Sequence, residues 1–349
     1  MNYDYKKHLI LSRTATRAAL SCLDKLAADA ILFVVDKDNK LIGSLTDGDV
    51  RRGLLKGLTI DDEVDSFLQK DPKKILKGNY DVYEIIKYRN NAYKVLPVVD
   101  EFNVILNVVN FRFSRSYLPI DAVIMAGGRG ERLRPLTDDI PKPLLPVAGK
   151  PIIKHNIDRL VDFGIDDLWI SVRYLGEQIK SYLGDGSELG VKINYVIENA
   201  PLGTIGAVSL IDKFTHDYVL LTNSDILTNL DYENFFLDFI TSDADYSVAT
   251  IPYNVSIPYA ILETSNGCIN SFKEKPTYTY YANAGIYLMK KEVCSIIPRG
   301  EFYDATDLLH HLIINNYKVI SYPLRGYWLD VGKHEDYKKA QDDINYIKF

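Results

Sequence analysis

Glycine, arginine and lysine gather at one place in this sequence in a pattern suited to gripping phosphates. Directly after the apolar run AVIMA come Gly127, Gly128 and Gly130, then Arg132 and, further along, Lys142. Glycines let the backbone approach a triphosphate and turn its N–H groups inward, while a guanidinium and an ammonium neutralise several oxygens. Taken alone, the glycines would serve equally well in a solvated turn. The spacing is not G-x-G-x-x-G and no Gly-Lys-Ser/Thr follows, so neither a dinucleotide fingerprint nor a Walker loop is present. Two carboxylates complement the loop. Asp225 ends the run YVLLTNSD, just after Asn223, and Asp330 ends the run GYWLD far along the chain. Phosphate chemistry concentrates negative charge and calls for a hard divalent ion held by one or two carboxylates. Either aspartate alone could instead cap a helix or close a turn.

The elements that would position these groups follow from hydrophobic periodicity. From Asp121 onward, apolar runs (DAVIMA, DLWISV, VKINYVIE, DYVLLTNSD) alternate with amphipathic stretches (PIIKHNIDRLVDFG, GEQIKSYLG). Such alternation predicts an α/β fold, a Rossmann-like, mostly parallel sheet covered by helices on both faces. Ligands bind such sheets beyond the carboxyl ends of the strands, where the glycine loop and Asp225 both fall. Earlier in the chain, two runs ending in Val-Val-Asp (Val34, Val35, Asp36; Val98, Val99, Asp100) are each followed by a short polar turn and a second apolar run. That is an approximate internal repeat. The polar stretch SRSYLP at 114–119 marks a boundary, giving a smaller α/β domain over 1–117 and the larger one over 121–349.

The full string GGRGERLRPLTDDIPKPLLPVAGKP resembles the signature of the sugar-1-phosphate nucleotidyltransferases, the nucleotide-sugar pyrophosphorylases. The resemblance implies that Arg132 and Lys142 hold the triphosphate and the leaving pyrophosphate, and that Asp225 and Asp330 are ligands of a magnesium ion. It extends to Glu274-Lys275-Pro276, where Glu274 would accept hydrogen bonds from sugar hydroxyls and Lys275 would place the sugar phosphate in line. A charged hairpin tip is the plainer alternative there. Asn283 and Gly285, in Asn283-Ala284-Gly285-Ile286-Tyr287, look like the family strand that shapes the sugar pocket, and Asn223 is expected among the substrate-binding residues. The turn Glu198-Asn199-Ala200-Pro201-Leu202-Gly203-Thr204 would pass over the nucleobase, read by groups near Leu202 and Gly203, although Thr204 could equally be a helix cap. Its Pro-Leu-Gly-Thr form is similar to that of mannose-, heptose- and glucosamine-1-phosphate guanylyltransferases. GTP is therefore expected ahead of the thymidylyl, uridylyl or cytidylyl alternatives, and a catalytically silent nucleotide-sugar sensor is a further alternative. The resemblance does not identify the sugar. His155 and His216 have no catalytic part in this chemistry and are expected to be surface or packing residues.

The repeat over 1–117 resembles a pair of CBS domains. Thr46 and Asp49, spaced Thr-x-x-Asp at a helix start, correspond to the pair that holds ribose and phosphate in ligand-binding members, which implies one adenosyl ligand site. Capping of the helix DVRRGLL by Thr46 or Asp47 is the alternative. In the second unit Asn110-Phe111-Arg112-Phe113 stands where that signature would be, so the second site is expected to be lost and the pair to serve also in dimerisation or a higher homo-oligomer.

Composition sets the outer limits. With 349 residues, 47% hydrophobic and 25% charged, the chain has ordinary globular usage and room for two domains. No apolar run is long enough for a membrane span and the N-terminus lacks a secretory pattern, so a cytoplasmic protein is expected. A net charge of −6 gives no electrostatic footprint for nucleic acid. The three cysteines are widely spaced without histidine partners and support neither a disulfide framework nor a zinc site. The 25 tyrosines are scattered and form no stacking platform.

Overall fold

The computed structural model describes residues 4–347. Its N-terminal module contains two copies of one motif. In the first, β1 (Leu9–Leu11), α1 (Thr16–Leu26), β2 (Ile31–Val35), β3 (Leu41–Thr46) and α2 (Asp47–Leu55) follow in order, with β2 parallel to β1 and antiparallel to β3. A short β4 (Gln69–Lys70) pairs with β3. The second copy comprises β5 (Ile75–Leu76), α3 (Val82–Asn90), β6 (Val95–Val99) and β7 (Ile105–Asn110), with the same parallel and antiparallel pairings.

The repeat extends to the turns. Asp36 Oδ1 accepts from the N–H groups of Asp38 and Lys40 at 2.8 and 2.9 Å, and Asp100 Oδ1 accepts from those of Phe102 and Val104 at 2.9 and 2.8 Å. Each turn then passes through an asparagine in the left-handed region, Asn39 (φ 58°) and Asn103 (φ 65°). The copies diverge after β7, where no helix follows. Instead Asn110 Nδ2 and Arg112 Nη1 donate to Asp29 of the first copy at 2.8 and 2.9 Å and tie the two units together.

The C-terminal region is built on a seven-stranded sheet. In chain order its elements are β8 (Ile120–Met125), the small β9 (Pro146–Val147) and β10 (Lys150–Pro151), α4 (Ile152–Asp162), β11 (Asp167–Val172), α5 (Gly176–Leu183), β12 (Lys192–Ile197), β13 (Tyr218–Asn223), β14 (Ile226–Thr228), α6 (Tyr232–Thr241), β15 (Tyr246–Ser256), β16 (Ile261–Ser265), β17 (Cys268–Lys273), β18 (Thr277–Lys290), α7 (Lys291–Cys294), α8 (Ala305–Ile314), β19 (Val319–Pro323), β20 (Trp328–Asp330) and α9 (His334–Asp343). The strand order is β12-β11-β8-β13-β18-β15-β19. The first four strands are mutually parallel, β18 runs against both neighbours, and β15 and β19 are parallel.

This mixed, mostly parallel α/β sheet explains why its strands read as continuous apolar runs. Ala122, Ile124, Leu220, Ile286 and Leu288 pack on the face covered by α4, α5 and α6, whereas Val123, Val219, Leu221, Tyr287 and Met289 pack on the face covered by α8 and the chain around Ile205. Successive side chains point to opposite faces, so a strand buried on both sides must be apolar at every position. On α4 the core positions Ile153, Ile157 and Leu160 recur at helical spacing.

The segment 114–119 is clamped between the two parts. Arg115 and Leu118 donate their N–H groups to the carbonyls of Asp162 and Phe163 at 2.5 and 3.2 Å, closing over the end of α4. Gly164 completes that end with φ 67°, and a Cβ there would lie 2.6 Å from both Ser116 O and Tyr117 Cα. Only glycine meets both demands. Beyond Thr250 and Asn283 the paired β15 and β18 leave the sheet and form an arm tipped by the β16–β17 hairpin. One face of the arm exposes Tyr253, Val255 and Tyr280. No helix among the described residues is long and apolar enough to cross a membrane.

Candidate active site

A cleft of about 570 Å³ opens at the carboxyl ends of β8, β11, β12 and β13. Its floor is the loop after β8. Gly130 adopts φ 64°, where a Cβ would come within 3.0 Å of both Lys142 Cβ and Thr137 Cγ2, and Thr137 Oγ1 donates to the Gly130 carbonyl at 2.9 Å. Gly127 is equally constrained, because a Cβ there would sit 2.5 Å from Glu198 Oε1. The glycines therefore hold the backbone open at the cleft, and Gly128, Arg132 and Lys142 line it beside them.

Asp225 and Asp330, distant in sequence, are brought together by a small antiparallel ladder. Ile226 of β14 pairs with Asp330 of β20, and Val331 donates its N–H to the Asp225 carbonyl at 3.0 Å. Lys142 Nζ forms an ion pair with Asp225 and lies 3.9 Å from Asp330 Oδ1. Burial, followed by repulsion from Asp225, pushes the Asp330 carboxyl up to about 6, with Lys142 and Arg132 opposing the shift. Asp330 Oδ1 is buried and accepts no hydrogen bond. Two close carboxylates, one carrying an unused buried oxygen, fit a divalent cation.

The opposite wall is the turn after β12. Glu198 is buried, accepts from Ser171 Oγ, and takes the Leu202 N–H at 3.3 Å. Leu202, Gly203 and Thr204 line the cleft next to it. The turn leads into a 3₁₀ helix, Gly206–Leu210, which Thr204 does not cap. Thr204 Oγ1 instead accepts from Ala305 N at 2.8 Å, and Thr204 N donates to Asp304 Oδ1 at 2.9 Å, tying the turn to the start of α8.

This arrangement has counterparts among known proteins. The Nucleotidyl transferase family matches residues 121–346, from β8 past the end of α9. The chain belongs to the nucleotidyl transferase family. The CBS domain family matches residues 17–56, the first copy of the N-terminal repeat, and the second copy completes the pair. Over 239 residues the chain is 32% identical to a mannose-1-phosphate guanylyltransferase of Mycobacterium tuberculosis, covering 64% of this chain and 64% of that protein. It is 31% identical to a UTP–glucose-1-phosphate uridylyltransferase of Synechocystis, covering 63% of this chain and 62% of the relative. The chain thus spans less than two thirds of either relative. Among solved structures it resembles HddC from Yersinia pseudotuberculosis complexed with GMP-PN, with a TM-score of 0.50 and 27% identity over 64% of this chain and 99% of HddC.

Other residues singled out in the sequence lie around the transferase cleft or away from it. Asn223 lines the cleft and touches Gly285, where a Cβ would sit 2.8 Å from Asn223 Nδ2. Asn283 is engaged within its own strand, donating to the Tyr287 hydroxyl at 2.7 Å and accepting from Gly285 N at 2.9 Å. Glu274 and Lys275 are exposed where the arm meets the β16–β17 hairpin, outside the cleft lining. In the module, Thr46 and Asp49 form a reciprocal capping box at the start of α2, and Asp49 Oδ1 also accepts from Arg52 at 2.5 Å. The helix-cap alternative is thus realised in the structure. His155 is buried with Nε2 3.0 Å from the Val147 carbonyl.

Three features escaped the sequence reading. Arg173 and Phe302 line the cleft. Arg173 follows β11 directly, so the rule that ligands gather beyond strand ends would have pointed to it. The third is a buried polar cluster at the opposite, N-terminal edge of the sheet. Asp166, Asp167 and His216 offer ligand atoms within 4.8 Å of one another, an arrangement that could hold a divalent metal. Lys77 of the module already places its ammonium 2.8 Å from both carboxylates. His216 is accordingly a buried interface residue, with Nε2 3.3 Å from Asp167.

Proposed function

We propose that the chain transfers the nucleotidyl group of a nucleoside triphosphate, GTP in preference, to a sugar 1-phosphate, forming a nucleotide sugar and pyrophosphate. The observation that carries this reading is the meeting of the glycine loop, Lys142 and Asp225 in one cleft, with Asp330 set beside Asp225 and 3.9 Å from Lys142 Nζ. An oxygen of the sugar phosphate attacks the α-phosphorus in line. The new P–O bond forms as the bond to the β-phosphate breaks, and pyrophosphate leaves with the electron pair. The nucleophile is already ionised, so no general base is required and catalysis rests on positioning and charge stabilisation. Arg132 and Lys142 bind the phosphates, with Lys142 exchanging its carboxylate partner for phosphate oxygens. Asp225 and Asp330 would hold Mg²⁺, which supplies Lewis-acid neutralisation of the phosphate charge.

The base preference rests on Glu198. A buried carboxylate only accepts hydrogen bonds, and guanine presents two adjacent donors, N1–H and N2–H₂, to meet it. The HddC complex with GMP-PN supports the same base, whereas the uridylyltransferase relative shows that the fold also serves others. Leu202 and Gly203 would flank the base. Asn223, Asn283 and Gly285 would border the sugar, with Glu274 and Lys275 brought to it by the arm bending over the cleft. Residues 1–117 would form a regulatory and associating module with an adenosyl site at Thr46 and Asp49, on a cytoplasmic homo-oligomer. The test is a grid of four nucleoside triphosphates against mannose, glucose, glucosamine and heptose 1-phosphates, read by pyrophosphate release. Release only with both substrates, and fastest with GTP, is expected. No release in any combination would favour the silent sensor.

A further inference from the structure

Arg173 occupies the cleft wall that Gly127 and Glu198 share. Its Cβ lies 3.4 Å from the point where a Cβ on Gly127 would sit, and Glu198 Oε1 lies 2.5 Å from that same point. Its Nε is buried and has no hydrogen-bond partner, while the residue itself lines the cleft. A buried guanidinium nitrogen left unpaired is costly, and the cost is recovered when a ligand brings an acceptor. Glu198, although close, therefore does not accept a hydrogen bond from the Arg173 Nε. The flanking Arg129 is placed differently, over the Tyr174 ring at 5.9 Å.

Donor-only Arg173 and acceptor-only Glu198 thus bracket one glycine, and their chemistry complements a single nucleobase. Guanine carries two adjacent donors, N1–H and N2–H₂, next to two adjacent acceptors, O6 and N7. Adenine reverses the polarity at the 1 and 6 positions. Uracil and thymine offer one N–H between two carbonyls, and cytosine offers an acceptor where Glu198 needs a donor. An arginine fork matches O6 and N7 in the same way that it reads guanine elsewhere. We propose that Arg173 is a specificity-determining residue that donates to O6 and N7 of guanine while Glu198 accepts from N1–H and N2–H₂. The inference rests on the nucleotidyltransferase reading and adds to it the group that rejects other bases.

The competing role for Arg173 is a contact to the triphosphate, and the two roles differ in what a substitution does. A phosphate contact is lost equally for every nucleotide, whereas a base contact changes the ratio between nucleotides. Full-length protein, Arg173→Asn and Arg173→Lys would be titrated calorimetrically with GDP and with UDP. Pyrophosphate release would then be followed with GTP and with UTP, using mannose 1-phosphate as acceptor. For Arg173→Asn the GDP-to-UDP affinity ratio is expected to fall about tenfold, with UDP affinity nearly unchanged. Arg173→Lys, which keeps the charge but loses the fork, is expected to fall in between. Equal loss for GDP and UDP, or no loss for either, would overturn the assignment. If Arg173→Asn fails to fold, the lysine variant decides alone, because a pure charge contact would leave its base ratio at the wild-type value. A wild type that binds GDP no better than UDP counts against the guanylyl reading, whereas a variant with an unchanged base ratio counts against Arg173 whichever base is preferred.

Discussion

Lys142 is ion-paired with Asp225, the carboxylate that the β14–β20 ladder sets beside Asp330. The ammonium stands where phosphate oxygens and a divalent ion would share the charge of both aspartates. Replacing Asp225 by Asn keeps the shape of the residue and removes its charge, so the folded state is retained while metal affinity falls. Pyrophosphate release is expected to drop about a hundredfold and to recover in part at high Mg²⁺. Chelation of Mg²⁺ should abolish turnover of the wild type. Undiminished turnover of Asp225→Asn would sink the proposed metal site.

At the other end of the sheet, Lys77 neutralises Asp166 and Asp167, and Tyr117 adds a hydrogen bond to Asp166 at 2.9 Å. These groups are largely buried, so removing the cation leaves two carboxylates uncompensated. Lys77→Met is expected to cost about 3 kcal/mol and to lower the melting temperature by several degrees. A melting curve that matches the wild type would show that the interface does not contribute to stability.

What the sequence made legible, and what it hid, follows from range. The strand runs and the repeat with its paired Asp36 and Asp100 turns are local patterns, set by φ preference and two-sided burial, and the structure contains both. The boundary region 114–119 looked like a polar connector, yet Gly164 and the end of α4 clamp it in place. The Lys77–Asp166 contact joins residues separated by 89 positions, and neither carries a local signal of its partner. Arg173 was overlooked because a single arginine after a strand has no motif. The cap chemistry of Thr46 was recognised as one of two options, and only geometry showed it formed.

The same edge supplies a pH signature. Burial pushes Asp121 up to about 6, with the His216 N–H, donating to Oδ2 at 2.7 Å, acting against the shift and Asp167 adding to it. A raised carboxyl binds its proton more tightly in the folded state. Its contribution to stability is therefore complete below the ordinary value of 3.8 and is lost as pH rises through about 6. Asp121→Asn mimics the protonated form. Its melting temperature should match the wild type near pH 4 and exceed it near pH 7. A difference that is constant with pH would refute the assignment.

The capping box at Thr46 separates two roles for the module. If Thr46 and Asp49 serve only the helix, Thr46→Ala costs about 1 kcal/mol and leaves turnover indifferent to added nucleotide. If they also hold an adenosyl ligand, calorimetry with AMP, ATP or S-adenosylmethionine should give saturable heats for the wild type that vanish in Asp49→Ala. We expect the second outcome. Arg52, now paired with Asp49 at 2.5 Å, would be freed to meet a phosphate. The absence of heat with all three nucleotides would leave the cap as the whole function of the pair.

The arm offers the last test. Pro276 follows Lys275 directly, accepts the Ile257 N–H at 3.0 Å, and precedes a ladder that runs from Thr277 back to Asn283. At about 3.3 Å per residue this puts Thr277, with Lys275 beyond it, on the order of 20 Å from Asn283 along an extended strand. If the arm bends over the cleft in turnover, Lys275→Ala should raise the KM for the sugar 1-phosphate about tenfold or more and leave the KM for the triphosphate near its wild-type value. Hydrogen exchange at 254–280 should then slow when nucleotide and sugar phosphate are both present. Equal kinetic constants for Lys275→Ala and wild type, with exchange in the arm unmoved, would exclude the arm from the catalytic cycle.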